Sequence, residues 1–152
     1  MSKITKPKLL SGKKLTKALD DTTRELMHLM YGENPACFVC GHRDHWWSSK
    51  HYPNGIQVGH FIGRKNTILR WNFLNLWPQC SGCNIIHNTN SVPFTLAVEA
   101  KYGVSRLILL DKMQREGKGK KYPDGVRREW LADLQHQISE LTSRLQSDKV
   151  KA

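Results

Sequence analysis

Hydrophobic residues recur at helical spacing near both ends of the chain. In the first stretch they stand at Leu15, Leu19, Leu26, Leu29 and Met30. This spacing predicts an amphipathic helix that ends at Gly32. Near the C-terminus a second stripe runs through Val126, Trp130, Leu134, Ile138, Leu141 and Leu145. It predicts a helix over residues 126–152, which can pack on its own domain or pair with a second copy of the chain as a homodimer.

The middle of the chain has a different character. Residues 33–90 are rich in aromatic residues, Asn, His, Gly and Cys, and they lack a long helical period. Residues 55–62 alternate well enough for a short strand. Three short helices are predicted downstream, one after a turn within 80–90, one over 93–103 and one over 104–115. The pattern as a whole predicts an α+β protein.

Two segments are basic and rich in turn-forming residues. Residues 1–14 contain five lysines and no acid, which predicts a flexible basic arm. Residues 117–125 predict a basic linker. We therefore divide the 152 residues into the arm, one domain over 15–116, the linker and the C-terminal helix over 126–152.

The charge narrows the choice of partners. Lys and Arg number 24 against 13 acids, for a formal net charge of +11. Such an excess favours polyanions, so nucleic acid and an anionic membrane surface are both candidates at this level. No apolar run reaches the roughly 18–20 residues of a membrane span, and the N-terminus lacks the apolar region of a signal peptide. We therefore expect a cytoplasmic protein.

All four cysteines fall into two Cys-x-x-Cys pairs, Cys37 with Cys40 and Cys80 with Cys83. In a reducing compartment this spacing predicts a zinc site, and the alternatives are two redox-active pairs or an oxidised secreted domain. Four thiolates close the tetrahedron of a structural zinc, which leaves no position for catalysis on that ion. The predicted zinc therefore holds the centre of the domain together.

Three polar residues near these pairs carry the predicted chemistry. The imidazole of His60, in the predicted strand, can take a proton from a water that attacks a phosphodiester. Asn84 directly follows Cys83, and its oxygen can bind a divalent cation, although an Asn after a turn is more often a helix cap. Asn75 is the type of residue that braces a neighbouring loop. We expect the two halves of the fold-back to bring His60 and Asn84 together.

Basic residues surround this predicted site. Arg64, Lys65 and Arg70 follow His60 and are predicted to hold DNA phosphates on either side of the cut. The predicted linker adds further DNA contacts at Lys118, Lys120 and Lys121.

These motifs resemble a known group of enzymes. The order of Cys37-x-x-Cys40, His60, Asn75, Cys80-x-x-Cys83 and Asn84 is similar to that of the HNH, or ββα-metal, nucleases. Within that group the segments 57–64, 70–72 and 79–84 resemble the lambdoid phage NinG (Rap) recombination nucleases. The resemblance covers roughly residues 30–112, and for a phage-encoded protein it implies the cytoplasm of the host cell. It implies a zinc-stapled treble-clef core with flanking helices and an Mg²⁺- or Mn²⁺-dependent endonuclease that cuts branched DNA, including Holliday junctions and D-loops.

One position departs from the pattern. Many HNH nucleases have an acidic metal ligand immediately before the active-site histidine, and Gly59 stands there in this chain. His87, or an acid from outside the motif such as Asp44 or Glu99, can complete the ligand set around Asn84. The departure keeps a second hypothesis open, a zinc-stapled DNA-binding or architectural protein without catalysis. A protein that binds or cuts RNA is a third.

Overall fold

The computed structural model describes residues 8–43 and 46–152, so residues 1–7 of the predicted basic arm and the candidate ligand Asp44 lie outside the described residues. The described part contains helices and a small sheet, which confirms the α+β class. In chain order the elements are α1 (Gly12–Tyr31), β1 (Gln57–His60), α2 (Thr67–Arg70), a 3-10 turn (Phe73–Asn75), β2 (Leu76–Gln79), α3 (Ser81–His87), α4 (Val92–Tyr102), α5 (Val104–Gly117) and α6 (Asp124–Lys151).

Helix α1 carries the first predicted apolar stripe. It ends where the sequence predicts, at Gly32, whose φ of 76° lies in the left-handed region that favours glycine. It begins at Gly12, so residues 12–14 of the predicted arm are helical. The buried side chains of Leu15 and Leu19 face α6, and each contributes roughly 1.5–3 kcal/mol through removal from water.

Helix α6 packs against α1 within the same chain. Leu131 and Leu134 are buried against α1, with Leu141 partly buried beside them. Beyond that point Leu145 is 40% exposed. The first part of the C-terminal stripe is thus used inside the chain, and a homodimer through the rest of α6 stays a prediction.

The two strands pair in antiparallel register. Gln57 lies opposite Gln79, and Gly59 lies opposite Trp77. The predicted strand at 55–62 is present in shorter form. Strand β2 has no alternating pattern to mark it because all four of its residues are buried.

Two more clusters complete the core. One joins Trp77 and Leu69 to α4 and α5 through Phe94 and Leu110. The other lies around Met27 and includes Cys37, with Cys80 and Cys83 packed against it. The three short helices predicted downstream are present as α3, α4 and α5. Within the described residues, no helix combines the length and the apolar character needed to cross a membrane.

Candidate active site and zinc cluster

The two cysteine pairs meet in one cluster. The four sulfur atoms of Cys37, Cys40, Cys80 and Cys83 all lie within 4.8 Å of one another. The Cys40 and Cys80 sulfurs are 3.9 Å apart, near the about 3.8 Å that a tetrahedron with Zn–S bonds of about 2.3 Å requires. This separation is far too long for a disulfide. The cluster can therefore hold a zinc ion, as the spacing predicts.

Local backbone structure places each pair. In the first, the Gly41 N–H donates to the Cys37 carbonyl at 2.8 Å, and Gly41 takes a φ of 74° that closes the turn. In the second, Cys80 precedes α3, and its sulfur accepts from the Cys83 N–H. The sulfurs thus converge from a tight turn and from a helix start.

The electrostatics of the cluster favour a bound cation. Burial, together with the neighbouring thiols, raises the pKa of Cys83 well above the ordinary value of a thiol. Four thiolates in this space repel one another, and a Zn²⁺ ion bound between them would offset that repulsion.

His60 stands at the end of β1 and is partly buried. Its Nε2 lies 2.9 Å from the Arg70 carbonyl oxygen, which can only accept, so Nε2 carries the hydrogen and Nδ1 the lone pair. Burial lowers the pKa of His60 from 6.5 to about 4, and the charge of Arg64 adds to the shift, while the carbonyls of Arg70 and Val58 oppose it. The imidazole is neutral at pH 7.

A small recess opens beside His60. Its volume is about 70 Å³, which is enough to hold water. Arginines from three elements line it, Arg24 of α1, Arg64 of the loop after β1 and Arg70 of α2. A groove of about 360 Å³ adjoins it and shares Arg24, Arg64 and Val58. Arg70 is paired with the Asp20 carboxylate, which also lines the recess, so it is Arg24 and Arg64 that suit the surroundings of His60 to an anion.

Asn75 is fully buried and braces the segment after His60. Its side-chain nitrogen donates to the carbonyls of Ile62 at 2.9 Å and Leu69 at 3.1 Å, and its oxygen accepts from the Ile62 N–H at 2.8 Å. Its contacts are thus those of a residue that holds the loop in place without touching the recess.

Asn84 and His87 project from α3 towards β1. The Asn84 side-chain nitrogen donates to Gln57 Oε1 at 2.6 Å. The His87 Nε2 donates to the Phe61 carbonyl at 2.8 Å, which leaves the lone pair on Nδ1. That Nδ1 is buried without a hydrogen-bond partner among the described residues.

Strand β1 separates His60 from Asn84. Successive side chains of a strand leave opposite faces, so Val58 and His60 share one face, while Gln57, the partner of Asn84, and Gly59 share the other. In the described part of the chain no hydrogen bond joins His60 to Asn84. The sequence places both beside the zinc cluster, but alternation along β1 directs them to different faces.

Arg70 has a role that its position in the sequence does not reveal. Its guanidinium binds Asp20 of α1 through two hydrogen bonds, of 3.1 Å and 2.7 Å, and Trp71 donates to the same carboxylate. The arginine is engaged within the protein, so this geometry does not present it to a DNA phosphate as predicted. It joins α1 to the segment whose carbonyl orients His60.

The predicted phosphate contacts Arg64 and Lys65 meet Lys118 at a second groove. This groove has a volume of about 640 Å³ and includes Arg115 at the end of α5. Lys120 and Lys121 are exposed in the segment that follows. Folding thus brings Arg64 and Lys65 next to part of the predicted basic linker.

Sequence reasoning missed two residues of the site, Asp20 and Arg24. Both lie on α1, where the apolar stripe indicates packing and nothing distinguishes one polar residue from the next. They line the His60 recess because α1, which packs mainly on α6, also contacts β2 of the sheet.

These features define a small, basic α+β protein with a four-cysteine cluster that can hold zinc and a histidine in an arginine-lined recess. The chain matches a family model described as Bacteriophage Lambda NinG protein over residues 2–141. It belongs to the bacteriophage lambda NinG family, which confirms the resemblance found in the motifs. The match also includes α1 and most of α6, outside the range of those motifs. Searches of the curated proteins and of the solved structures found no match.

Proposed function

We propose that the protein is a metal-dependent endonuclease with an HNH-like treble-clef core, and that it cuts branched DNA intermediates of phage recombination, such as Holliday junctions and D-loops. The observation that carries the proposal is His60 in its recess, neutral and flanked by Arg24 and Arg64. A general base and phosphate-binding cations side by side are what phosphodiester hydrolysis needs. The family match and the charge of +11 support it.

The first step assigned to this chain is proton removal from water. The Arg70 carbonyl fixes the His60 tautomer, so that Nδ1 accepts the proton of a water in the recess. A pKa of about 4 makes the free imidazole a weak base. A bound phosphodiester raises the pKa of His60 because its negative charge offsets Arg64 and stabilises the imidazolium.

The substrate backbone is held by side chains from several elements. Arg24 and Arg64 line both the groove of about 360 Å³ and the recess of His60, so a phosphate held between these arginines would lie next to His60. Lys65, Lys118 and Arg115 extend the basic surface along the other groove. These contacts carry affinity without base-sequence preference.

The catalytic divalent ion is assigned to the face of β1 that α3 covers. Asn84 and His87 would hold Mg²⁺ or Mn²⁺ there, and such an ion neutralises charge on the scissile phosphate and the leaving oxygen. Two observations fit a ligand role. The Asn84 oxygen takes no part in the bond to Gln57, and the lone pair of His87 Nδ1 is buried without a partner in the described part of the chain.

The alternative is a zinc-stapled DNA-binding or architectural protein without catalysis. The separation of His60 and Asn84 by β1, with no acid at Gly59, favours it. The two hypotheses share the zinc and the basic grooves, so only cleavage distinguishes them.

The test uses zinc-loaded protein, a labelled four-way junction and a linear duplex of equal length. We expect wild type to cut the junction with Mg²⁺ or Mn²⁺ and not without them. His60→Ala should bind the junction and cut at least a hundredfold more slowly. His136→Ala, an exposed histidine of α6, is the matched control.

Binding without cutting by wild type in both cations would reject the nuclease in favour of the architectural protein. A junction of the same shape built from RNA tests the third hypothesis, since preferential cutting of RNA would move the substrate class away from DNA.

A further inference from the structure

Gln79 at the end of β2 is buried in an unusual way. The residue is 0% exposed, and among the described residues neither its side-chain oxygen nor its nitrogen has a hydrogen-bond partner. Two orphaned polar atoms on one fully buried carboxamide are costly, and buried amides are normally paired. The arrangement indicates a partner that lies outside the chain.

The Gln79 side chain occupies the space that a side chain at position 59 would fill. A Cβ built on Gly59 would lie 2.4 Å from Gln79 Oε1 and 2.7 Å from Gln79 Cβ. An acid at position 59 therefore cannot coexist with the glutamine in this conformation. The side chain of Gln79, with its two unpaired polar atoms, thus fills the space left by the absence of a side chain at Gly59.

Other donor atoms lie on the same face of β1. Gln79 pairs with Gln57 across the sheet, and Gln57 accepts from Asn84 of α3. Two residues beyond Gly59 on that face, the Phe61 carbonyl accepts from His87, whose Nδ1 is buried and unpartnered in the described part of the chain. Gly59 thus lies between the attachment points of the two proposed ligands.

We propose that Gln79 supplies the metal ligand that Gly59 lacks, with its Oε1 joining Asn84 and His87 around the divalent ion. The inference rests on the proposed function for what the ion does there. The ligand set is neutral, with amide oxygens and an imidazole nitrogen and no carboxylate. Mg²⁺ is usually bound through carboxylates and phosphates, whereas imidazole suits transition metals, so this set favours Mn²⁺ over Mg²⁺.

The experiment measures Mn²⁺ binding without DNA. Zinc-loaded protein is titrated with Mn²⁺, and unbound Mn²⁺ is followed by electron paramagnetic resonance while the zinc content is checked. We expect one Mn²⁺ per chain in wild type and an affinity at least tenfold lower in Gln79→Ala. Gln135→Ala, at an exposed glutamine of α6, is the matched control and should bind as wild type does.

A second variant tests the proposal even if Gln79→Ala does not fold. Gln79→Glu has the same shape and adds the missing negative charge. If Gln79 is a ligand, the variant should bind Mn²⁺ about tenfold more tightly, bind Mg²⁺ as well, and gain melting temperature when either ion is added. If Gln79 only fills space, the buried charge should lower the melting temperature and neither ion should restore it.

Unchanged Mn²⁺ affinity in both variants, or no Mn²⁺ binding by wild type, would overturn the proposal. Because binding is read without DNA, its failure is distinct from failure of the nuclease. If the protein binds Mn²⁺ through Gln79 but cuts no junction, the assignment of Gln79 as a metal ligand stands and the nuclease proposal is rejected.

Discussion

Asp20 of α1 and Arg70 of α2 form a two-bond ion pair directly beside His60, with hydrogen bonds of 3.1 Å and 2.7 Å. The same Arg70 accepts from His60 through its backbone carbonyl. One residue thus ties α1 to the segment that orients the proposed base. Both side chains are partly buried, so removal of one leaves the charge of the other unpaired where water solvates it poorly.

The ion pair leads to a prediction about stability. Arg70→Ala should lower the free energy of unfolding by about 1–3 kcal/mol because it leaves the Asp20 carboxylate without its partner. Urea unfolding followed by circular dichroism measures the change. Asp21→Ala, which removes an exposed carboxylate paired with Lys17, is the control and should stay within about 0.5 kcal/mol of wild type. An equal loss of stability in Arg70→Ala and Asp21→Ala would contradict a stabilising role for the pair of Arg70 and Asp20.

A second prediction concerns pH and His60. An unfolded histidine takes its proton near pH 6.5, whereas the pKa of folded His60 is about 4. Between these values the unfolded state binds more protons, so stability should fall as the pH is lowered through this window, by about 2–3 kcal/mol in total. His60→Gln should remove much of that dependence, and His136→Gln should keep it. Thermal melts at pH 4–7 measure the difference.

The pKa of Asp20 extends the acid effect to lower pH. Burial would raise it, but the hydrogen bonds from Arg70 and Trp71 outweigh burial and hold it below 3.8. Its contribution is therefore complete above about pH 3.8 and is lost as the pH falls through the lower, folded value. As the pH is lowered, the loss of stability caused by Asp20 should therefore come after the loss caused by His60.

A third prediction concerns the zinc cluster. Wild type should carry one zinc per chain, and Cys83→Ser should lose most of it, because three thiolates leave the tetrahedron open. Structural zinc contributes about 10–16 kcal/mol in small zinc-binding peptides, comparable to the whole stability of a domain. The centre should then unfold, with partial loss of helical signal. Ser81→Ala, at the start of α3, is the control. Full zinc content in Cys83→Ser would contradict the prediction.

A fourth prediction separates the arginines and lysines by their role. Arg64→Ala and Lys118→Ala should each weaken junction binding and reduce the slope of log affinity against log salt by about 1. Arg70→Ala should leave that slope unchanged, because its guanidinium binds Asp20. Lys149→Ala, near the end of α6, is a control of equal charge. Fluorescence anisotropy at several salt concentrations provides the affinities. A slope change in Arg70→Ala equal to that of Arg64→Ala would restore Arg70 as a phosphate contact.

Several features could be predicted because they depend on local sequence. Cys-x-x-Cys spacing fixes ligand geometry within one turn, and a helical period fixes which face of α1 or α6 is apolar. Gly32 ends α1 because its positive φ is local. The sequence pattern does not locate strand β2, because a strand buried on both faces has no alternation to distinguish it.

By itself the sequence determined the four cysteines that can hold zinc, the helices other than α2, the basic charge and the family motifs, since each rests on the order and spacing of neighbouring residues. Only the tertiary structure decided which of these residues share a site. Strand alternation placed His60 and Asn84 on different faces of β1, and the packing of α1 brought Asp20 to Arg70. Strand pairing brought the Gln79 side chain against Gly59. Such relationships depend on pairing register and helix packing between residues distant in sequence, which no local pattern records.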